Sequence, residues 1–204
     1  MIDLNEVGRR LYCLIRDRRL TVDPKIRNNP RACAELIETF VQDNLPKCIP
    51  QKIKEYEKSS SAKSLADCSC YDKDDLYYAF DLKTHNINKW GMPNIVSYKK
   101  LDKFYKDEKN IFVIILVDYL VDDDGVIIPR CAIAGPIESI DWKYLAVQGT
   151  LGQIQIINAE RPGLRSYYPD RDQWMSEFYN QVQIGINKKI RLLTEELKYF
   201  AVSA

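Results

Sequence analysis

The chain has 204 residues, a length typical of one domain, and we predict a single domain over residues 1–204. Apolar residues make up 46% of the sequence and charged residues 29%, a composition that excludes disordered and collagen-like chains. Lys and Arg number 30 against 29 Asp and Glu, so the net charge of +1 neither indicates nor excludes a nucleic-acid partner.

The cysteines and the apolar segments indicate a reducing compartment. Six cysteines are present without a C-x-x-C pair, and His85 is the only histidine, so a structural zinc site is not supported. Residues 1–10 contain no apolar signal segment, and the longest apolar run, residues 111–117, is too short to cross a bilayer. We therefore expect a cytoplasmic protein with no membrane partner.

The N-terminal third predicts two amphipathic helices followed by a loop. Apolar residues recur at helical spacing over residues 4–15, where Asp3 is positioned to cap the start. A second helical pattern covers residues 33–41, and Pro30 suits its first turn. The small residues of 59–64 predict a flexible loop.

A hairpin is predicted next, with strands over residues 67–71 and 76–83 joined by the acidic turn of residues 72–75. Side chains alternate across a strand, so the second strand has two different faces. One face carries Leu76, Tyr78, Phe80 and Leu82, and the other carries Tyr77, Ala79, Asp81 and Lys83.

The middle of the chain predicts a short helix and two strands. Asn94 is expected to cap the helix, whose core-facing residues would be Ile95, Tyr98, Leu101 and Tyr105. Residues 111–121, rich in Ile and Val, predict a central strand buried on both faces. Residues 126–134 predict a returning strand, and Pro129 favours an edge position.

The C-terminal part predicts a short strand over residues 153–157 and then the longest helix, over residues 174–197. The predicted fold class is therefore α/β (α+β), a mixed β-sheet flanked by helices.

Asp67, Asp81 and Lys83 are the candidate catalytic residues. Asp81 and Lys83 share a strand face, and the hairpin can bring Asp67 beside Asp81. Paired carboxylates favour a hard cation such as Mg²⁺, and the backbone carbonyl of Leu82 is a further candidate ligand. The alternative is a surface i, i+2 salt pair without catalytic function. We place His85 off the Lys83 face, as a neighbouring polar side chain rather than a general base.

The sequence around this hairpin resembles a known group of nucleases. Residues 81–89 read D-L-K-T-H-N-I-N-K, and residues 93–97 read P-N-I-V-S. These stretches resemble the D-x-K-T-x-N-I-x-K and P-N-I-x-S patterns of HincII-like type II restriction endonucleases, in the EcoRV/HincII branch of the PD-(D/E)xK superfamily. Asp67 matches the family's first metal-binding aspartate, although Ala66 precedes it where the superfamily name has proline. The resemblance is strongest over residues 66–97.

The resemblance implies a restriction-endonuclease-like core and a bacterial or archaeal cytoplasmic enzyme. It implies a homodimer that binds a short, roughly palindromic site in double-stranded DNA and cuts both strands, leaving 5′-phosphates at blunt ends. The expected cofactor is Mg²⁺, with Mn²⁺ as a substitute. A cognate DNA methyltransferase is expected from a neighbouring gene and not as a subunit.

Further site residues follow from the same resemblance, each with an alternative. Glu38 and Asn94 would lie close to the metal ligands, or serve as a solvated helix carboxylate and a helix cap. Lys89, Trp90 and Met92 would belong to a loop that approaches DNA, or to a packed loop tip.

A second candidate DNA-contacting segment contains Gln148, Gly149, Thr150 and Gln153. It resembles the family's base-reading segment, since Gln and Thr can bond base edges in the major groove. An ordinary turn before a strand explains the same residues.

Two other functions fit the sequence. One is a repair or junction-cutting nuclease of the same superfamily. The other is a DNA-binding protein whose catalytic site has decayed, which the presence of Asp67, Asp81 and Lys83 counts against.

Overall fold

The structure, a computed structural model, describes residues 1–59, 64–89, 93–157 and 170–202. Its elements in chain order are α1 Leu4–Arg18, α2 Pro30–Cys48, β1 Ile53–Lys58, β2 Cys68–Asp72, β3 Tyr77–Asn86, β4 Asn94–Ser97, α3 Tyr98–Phe104, β5 Asn110–Val121, β6 Ile127–Pro136, β7 Leu145–Gln148, β8 Gln153–Ile156 and α4 Arg171–Val202. Within these residues, no helix combines the length and the hydropathy needed to span a membrane.

The chain divides into two compact units. The first contains Met1–Pro93 and Phe104–Ile137, and the second contains Asn94–Lys103 and Glu138–Ala204. One domain over residues 1–204 stays a prediction.

The two N-terminal helices begin where side-chain caps are available. The Asp3 carboxylate accepts the Glu6 amide at 3.1 Å and starts α1. The Asn29 side chain accepts the amide of Arg31 at 3.0 Å, and Pro30 occupies the first position of α2. Both helices match their predictions, because capping and apolar periodicity are local properties of the sequence.

The first unit is built on a five-stranded mixed sheet in the order β1-β2-β3-β5-β6. Strand β3 pairs antiparallel with β2 and parallel with β5, and the β3–β5 ladder runs from Tyr77 opposite Asn110 to Asn86 opposite Tyr119. Strand β6 is an edge, as predicted, and Pro129 lies where its register against β5 shifts.

One face of this sheet forms the core with α1 and α2. The fully buried side chains of Tyr78, Phe80 and Leu82 belong to the same apolar cluster as Leu11 and Ile37. Helix α1 approaches β6 so closely that a Cβ on Gly8 would lie 3.0 Å from the Ala132 carbonyl oxygen. The helical core therefore covers the face of β3 that carries the even-numbered side chains. The odd-numbered side chains, among them Asp81 and Lys83, lie on the opposite face.

The second unit has a three-stranded sheet in the order β4-β8-β7, with α4 against β7. Trp142 and Trp174 pack with ring centroids 4.9 Å apart, and Phe178 joins them. A Cβ on Gly185 of α4 would lie 2.8 Å from the Val147 carbonyl oxygen, so this close approach requires glycine.

The structure corrects the predicted helix that follows residue 94 and adds two strands. Asn94 does not cap a helix: it begins β4 opposite Gln155, because the buried, β-branched residues Ile95 and Val96 favour a strand. Helix α3 starts only at Tyr98. Strands β1 and β7 were not predicted.

Candidate active site

Strand β3 holds two of the predicted catalytic side chains within one ion pair. Lys83 Nζ donates to Asp81 Oδ1 at 2.9 Å, and the side chains are only 18% and 7% exposed. Both residues lie on the face of β3 opposite the helical core, as their spacing of two residues predicts. The i, i+2 ion pair of the alternative interpretation is present, but it is largely withdrawn from solvent and does not lie on an exposed surface. A catalytic role for the pair stays a prediction.

Three hydrogen bonds hold Asp67 in place, and two of them join it to β3. It immediately precedes β2, and its backbone amide donates to the Phe80 carbonyl at 2.9 Å. Its carbonyl accepts the Ser59 amide at 2.8 Å, and its Oδ2 accepts the Leu82 amide at 2.6 Å. The last of these bonds fixes the Asp67 carboxylate against the Leu82 backbone, where its charge acts on Asp81.

The Asp81 carboxyl is in an unusual electrostatic environment. Among the described residues, its Oδ2 is buried without a hydrogen-bond partner. Burial, together with the charges of Asp67 and Glu38 and against the opposing effect of Lys83, raises the pKa of Asp81 to about 7. A buried carboxyl that carries one unused oxygen and faces another carboxylate is stabilised in its ionised form by an added cation.

Helix α2 brings a third acidic side chain towards these residues. Burial raises the pKa of Glu38, the charge of Asp67 raises it too, and Lys83 lowers it. Burial lowers the pKa of Lys83, but Asp81, with Asp67 and Glu38, outweighs burial and leaves it above its ordinary value. The ammonium of Lys83 therefore stays charged among three acidic groups.

The donor set suits a hard divalent cation. The described residues contain no group of three His, Cys, Asp or Glu side chains arranged to hold a metal. An ion here would depend on two carboxylates, Asp67 and Asp81, completed by backbone and water oxygens. Mg²⁺ is bound in that way, through one or two carboxylates with several waters and substrate phosphates. The unused Asp81 oxygen fits such an ion.

The placement of His85 away from the Lys83 face is wrong. Residues 81, 83 and 85 alternate by two along β3 and share one face. His85 lies directly opposite Asp118 of β5, and its Nδ1 is 3.4 Å from Asp118 Oδ1. Cys131 Sγ donates to Asp118 Oδ2 at 3.5 Å. Asp118 was not among the predicted site residues. The sequence feature that could have identified it is an acidic residue within an otherwise apolar strand.

The second candidate DNA-contacting segment lies on a hairpin of the second unit. Gln148 ends β7, Gln153 begins β8, and Gly149 and Thr150 lie in the turn between them. Gln148 Nε2 donates to Gln155 Oε1 at 2.8 Å. A Cβ on Gly149 would overlap the backbone of Gly185, so packing against α4 already accounts for this glycine. Contact of this turn with bases stays a prediction.

Of the four remaining predicted site residues, the structure describes Lys89 and Asn94, which belong to different units. Lys89 is exposed in the turn after β3, where its amide donates to the Asn86 carbonyl at 2.9 Å. Trp90 and Met92 lie outside the described residues. Asn94 belongs to β4 in the second unit, and its role beside the metal ligands stays a prediction.

Comparison with known proteins supports the fold. A scan against protein-family models finds no match, and neither does a search of curated proteins. Among solved structures, the chain is similar to NlaIV restriction endonuclease, with a TM-score of 0.51 and 16% identity over 78% of this chain and 69% of that one. The chain has a restriction-endonuclease-like fold. This finding confirms the predicted fold class, a mixed sheet flanked by helices, and leaves the HincII-like branch as a proposal.

Proposed function

We propose that this protein is a magnesium-dependent type II restriction endonuclease of the HincII-like group. It would bind double-stranded DNA as a homodimer and hydrolyse one phosphodiester in each strand of a short, roughly palindromic site. The products would carry 5′-phosphate and 3′-hydroxyl groups at blunt ends, and Mn²⁺ would replace Mg²⁺. A separate DNA methyltransferase would protect the host site.

The observation that carries this proposal is the unused Oδ2 of Asp81. A protein that only binds DNA has no need to bury a carboxyl oxygen without a partner and opposite the Asp67 carboxylate, since both features cost stability. A site that binds a cation during catalysis needs both. Metal-assisted cleavage of DNA at this site is in keeping with the restriction-endonuclease-like fold.

Asp67, Asp81 and the Leu82 carbonyl would hold the metal ion. Bound Mg²⁺ polarises a phosphoryl oxygen and lowers the pKa of a bound water. The Leu82 amide already fixes the Asp67 carboxylate at 2.6 Å, which keeps one ligand oriented before the ion arrives. Asp81 would give up its proton when the ion binds, so metal affinity would increase with pH.

Lys83 would act on the phosphate and the attacking water. Its ammonium lies 2.9 Å from Asp81 Oδ1 and stays charged, so it can offset the negative charge that grows on the phosphoryl oxygens in the transition state. As the water oxygen bonds to phosphorus the water would lose a proton to solvent, the bond from phosphorus to the 3′ oxygen would break, and the 3′ oxygen would take a proton from solvent. Glu38 would help to orient the solvent around these groups.

The test uses supercoiled plasmid and duplex genomic DNA with Mg²⁺. We expect discrete fragments, and sequencing their ends would give the recognition site and the positions of the cuts. Random degradation would favour a non-specific repair nuclease, and structure-dependent cutting would favour a junction nuclease. No cutting with either Mg²⁺ or Mn²⁺ would favour a decayed DNA-binding protein.

The matched variant is Asp81→Ala. We expect it to bind the recognition site and to lose nicking and double-strand cleavage, because one metal ligand is gone. Arg130→Ala, which removes an exposed cation from the edge strand β6, is the control and should cut at the normal rate. Normal cleavage by Asp81→Ala would remove Asp81 from the active site.

A further inference from the structure

The C-terminal part of α4 carries an apolar stripe that is open to solvent. From residue 191 to residue 200 every side chain is exposed, on all sides of the helix. We define the α4 stripe as five large apolar residues that are between 37% and 70% exposed: Ile186, Ile190, Leu193, Leu197 and Phe200. Single exposed apolar residues are ordinary on a protein surface, but a contiguous set of this kind marks an interaction surface.

The spacing of the α4 stripe is that of a coiled-coil seam. Its members follow one another at steps of four, three, four and three residues, so they occupy alternating d and a positions of a heptad repeat. Lys188, Arg191 and Glu195 lie on the opposite side of the helix, where Arg191 pairs with Glu195 at 3.8 Å. A helix with one apolar side is stabilised mainly by packing that side against another element. A second helix therefore fits the α4 stripe.

The charges beside the α4 stripe indicate which helix that is. The g positions flank a coiled-coil seam, and in α4 they hold Lys189 and Glu196. Seven residues along a helix span about 10 Å, so these two side chains are too far apart to pair with each other. Opposite charges at equivalent positions, one heptad apart, suit a helix that pairs with a second copy of itself in the antiparallel orientation.

One antiparallel register brings these opposite charges together. When Ile190 lies opposite Leu193 of the partner subunit, Lys189 meets Glu196 of the partner subunit, and the two-fold axis repeats the contact. A shift of one heptad in either direction would place Lys189 opposite its own copy, or Glu196 opposite its own copy, and like charges there repel. A parallel pair would place Lys189 beside the uncharged Thr194 instead. The charge pattern therefore favours a single arrangement.

We propose that the α4 stripe packs antiparallel against the α4 stripe of a second copy of this chain, with Ile190 against Leu193 and Lys189 paired with Glu196 across the two-fold axis. This inference rests on the homodimer of the proposed function and assigns its contact surface. The pairing needs neither DNA nor a metal ion, because none of these residues belongs to the candidate active site.

Sedimentation equilibrium of the full chain, without DNA or divalent metal, tests the pairing. We expect the normal protein to form dimers at micromolar concentrations. Leu193→Glu should raise the dimer dissociation constant about a hundredfold or more, because each of the two central layers would bury an unpaired charge. Leu192→Glu is the matched control, since this neighbouring leucine is 45% exposed against 48% for Leu193 but lies outside the α4 stripe. The control should associate normally.

Charge reversal tests the antiparallel register. Lys189→Glu and Glu196→Lys should each weaken the dimer about tenfold, because two like-charge contacts replace two ion pairs. An equimolar mixture of the two variants should recover the normal affinity as a heterodimer, since each contact again joins opposite charges. Circular dichroism and thermal unfolding check that every variant is folded.

Three outcomes would overturn the inference. A monomeric normal protein would leave the α4 stripe to a different partner. A dimer that Leu193→Glu weakens no more than Leu192→Glu does would place the interface elsewhere. A mixture of the charge variants that associates no more tightly than either variant alone would exclude this register.

DNA cleavage, measured separately, distinguishes this inference from the proposed chemistry. A protein that forms the α4 dimer but cuts no DNA would contradict the nuclease function and leave the inference standing. A protein that cuts DNA as a monomer would contradict the inference and the proposed homodimer, but not the metal-dependent hydrolysis.

Discussion

The two faces of β3 differ in what they contribute to the protein. Tyr78, Phe80 and Leu82 are buried in the helical core and supply stability through apolar contacts. Asp81 is also buried on the other face, but its incompletely bonded carboxyl opposes folding. One strand therefore has an apolar face that stabilises the fold and a polar face whose cost in stability the apolar contacts offset. Substitutions on the two faces should consequently separate stability from activity.

The largest expected effect on stability comes from the core face. Phe80→Ala should lower the free energy of unfolding by about 3–5 kcal/mol, because a fully buried ring is replaced by a cavity. Urea denaturation measures this loss. The neighbouring Asp81→Asn, which removes a buried charge and keeps the shape, should lose no stability in metal-free protein above pH 7. Similar losses for both variants would remove the distinction between the faces.

On the site face, the largest expected effect is on the rate. Lys83→Gln should reduce the cleavage rate about a hundred- to a thousandfold, because a preorganised positive group is lost from the transition state. Single-turnover cleavage in saturating Mg²⁺ measures the change. Lys52→Ala, which removes an exposed ammonium ahead of β1, is the matched control and should leave the rate unchanged. A full rate in Lys83→Gln would show that the lysine only neutralises Asp81.

The raised pKa of Asp81 gives the site face its own pH dependence. In metal-free protein, folding raises this pKa from 3.8 to about 7, so the folded state holds a proton that the unfolded state has released. The resulting stabilisation is complete below about pH 4 and is lost as the pH rises to about 7, at about 1.4 kcal/mol per pH unit. Denaturation of the normal protein and Asp81→Asn in EDTA should show this slope as their difference. Parallel pH profiles would mean that Asp81 titrates normally.

The smallest expected effect concerns the helix that reaches the site from the core side. Glu38→Gln should lower the cleavage rate about ten- to a hundredfold, since supporting groups around a metal site act indirectly. Glu35→Gln, one turn earlier on α2, changes an exposed carboxylate paired with Arg31 and should cleave normally. Single-turnover rates of the two variants decide between them. Equal rates would assign Glu38 to the solvated helix surface.

Local patterns predicted most of the first unit. Helices α1 and α2 followed from their caps and apolar spacing, and β5 followed from its run of Ile and Val. Edge strands were harder to predict. Strand β1 reads I-K-E-Y-E-K, whose charged residues resemble an exposed helix, and β4 begins with an Asn that is equally suited to capping. In both cases pairing with a neighbouring strand decided the structure, and pairing is not a local property.

The placement of Asp81 and Lys83 on one face of a strand follows from their spacing in the chain, because side chains alternate along any strand. The residues that surround this pair depend on the folded arrangement of the whole unit. Asp67 comes from the end of a loop, Glu38 from helix α2, and Asp118 from a parallel strand that pairs opposite His85. Alternation is a local property of the strand backbone, whereas these long-range contacts depend on how the strands of the sheet pair and how the helices pack on it.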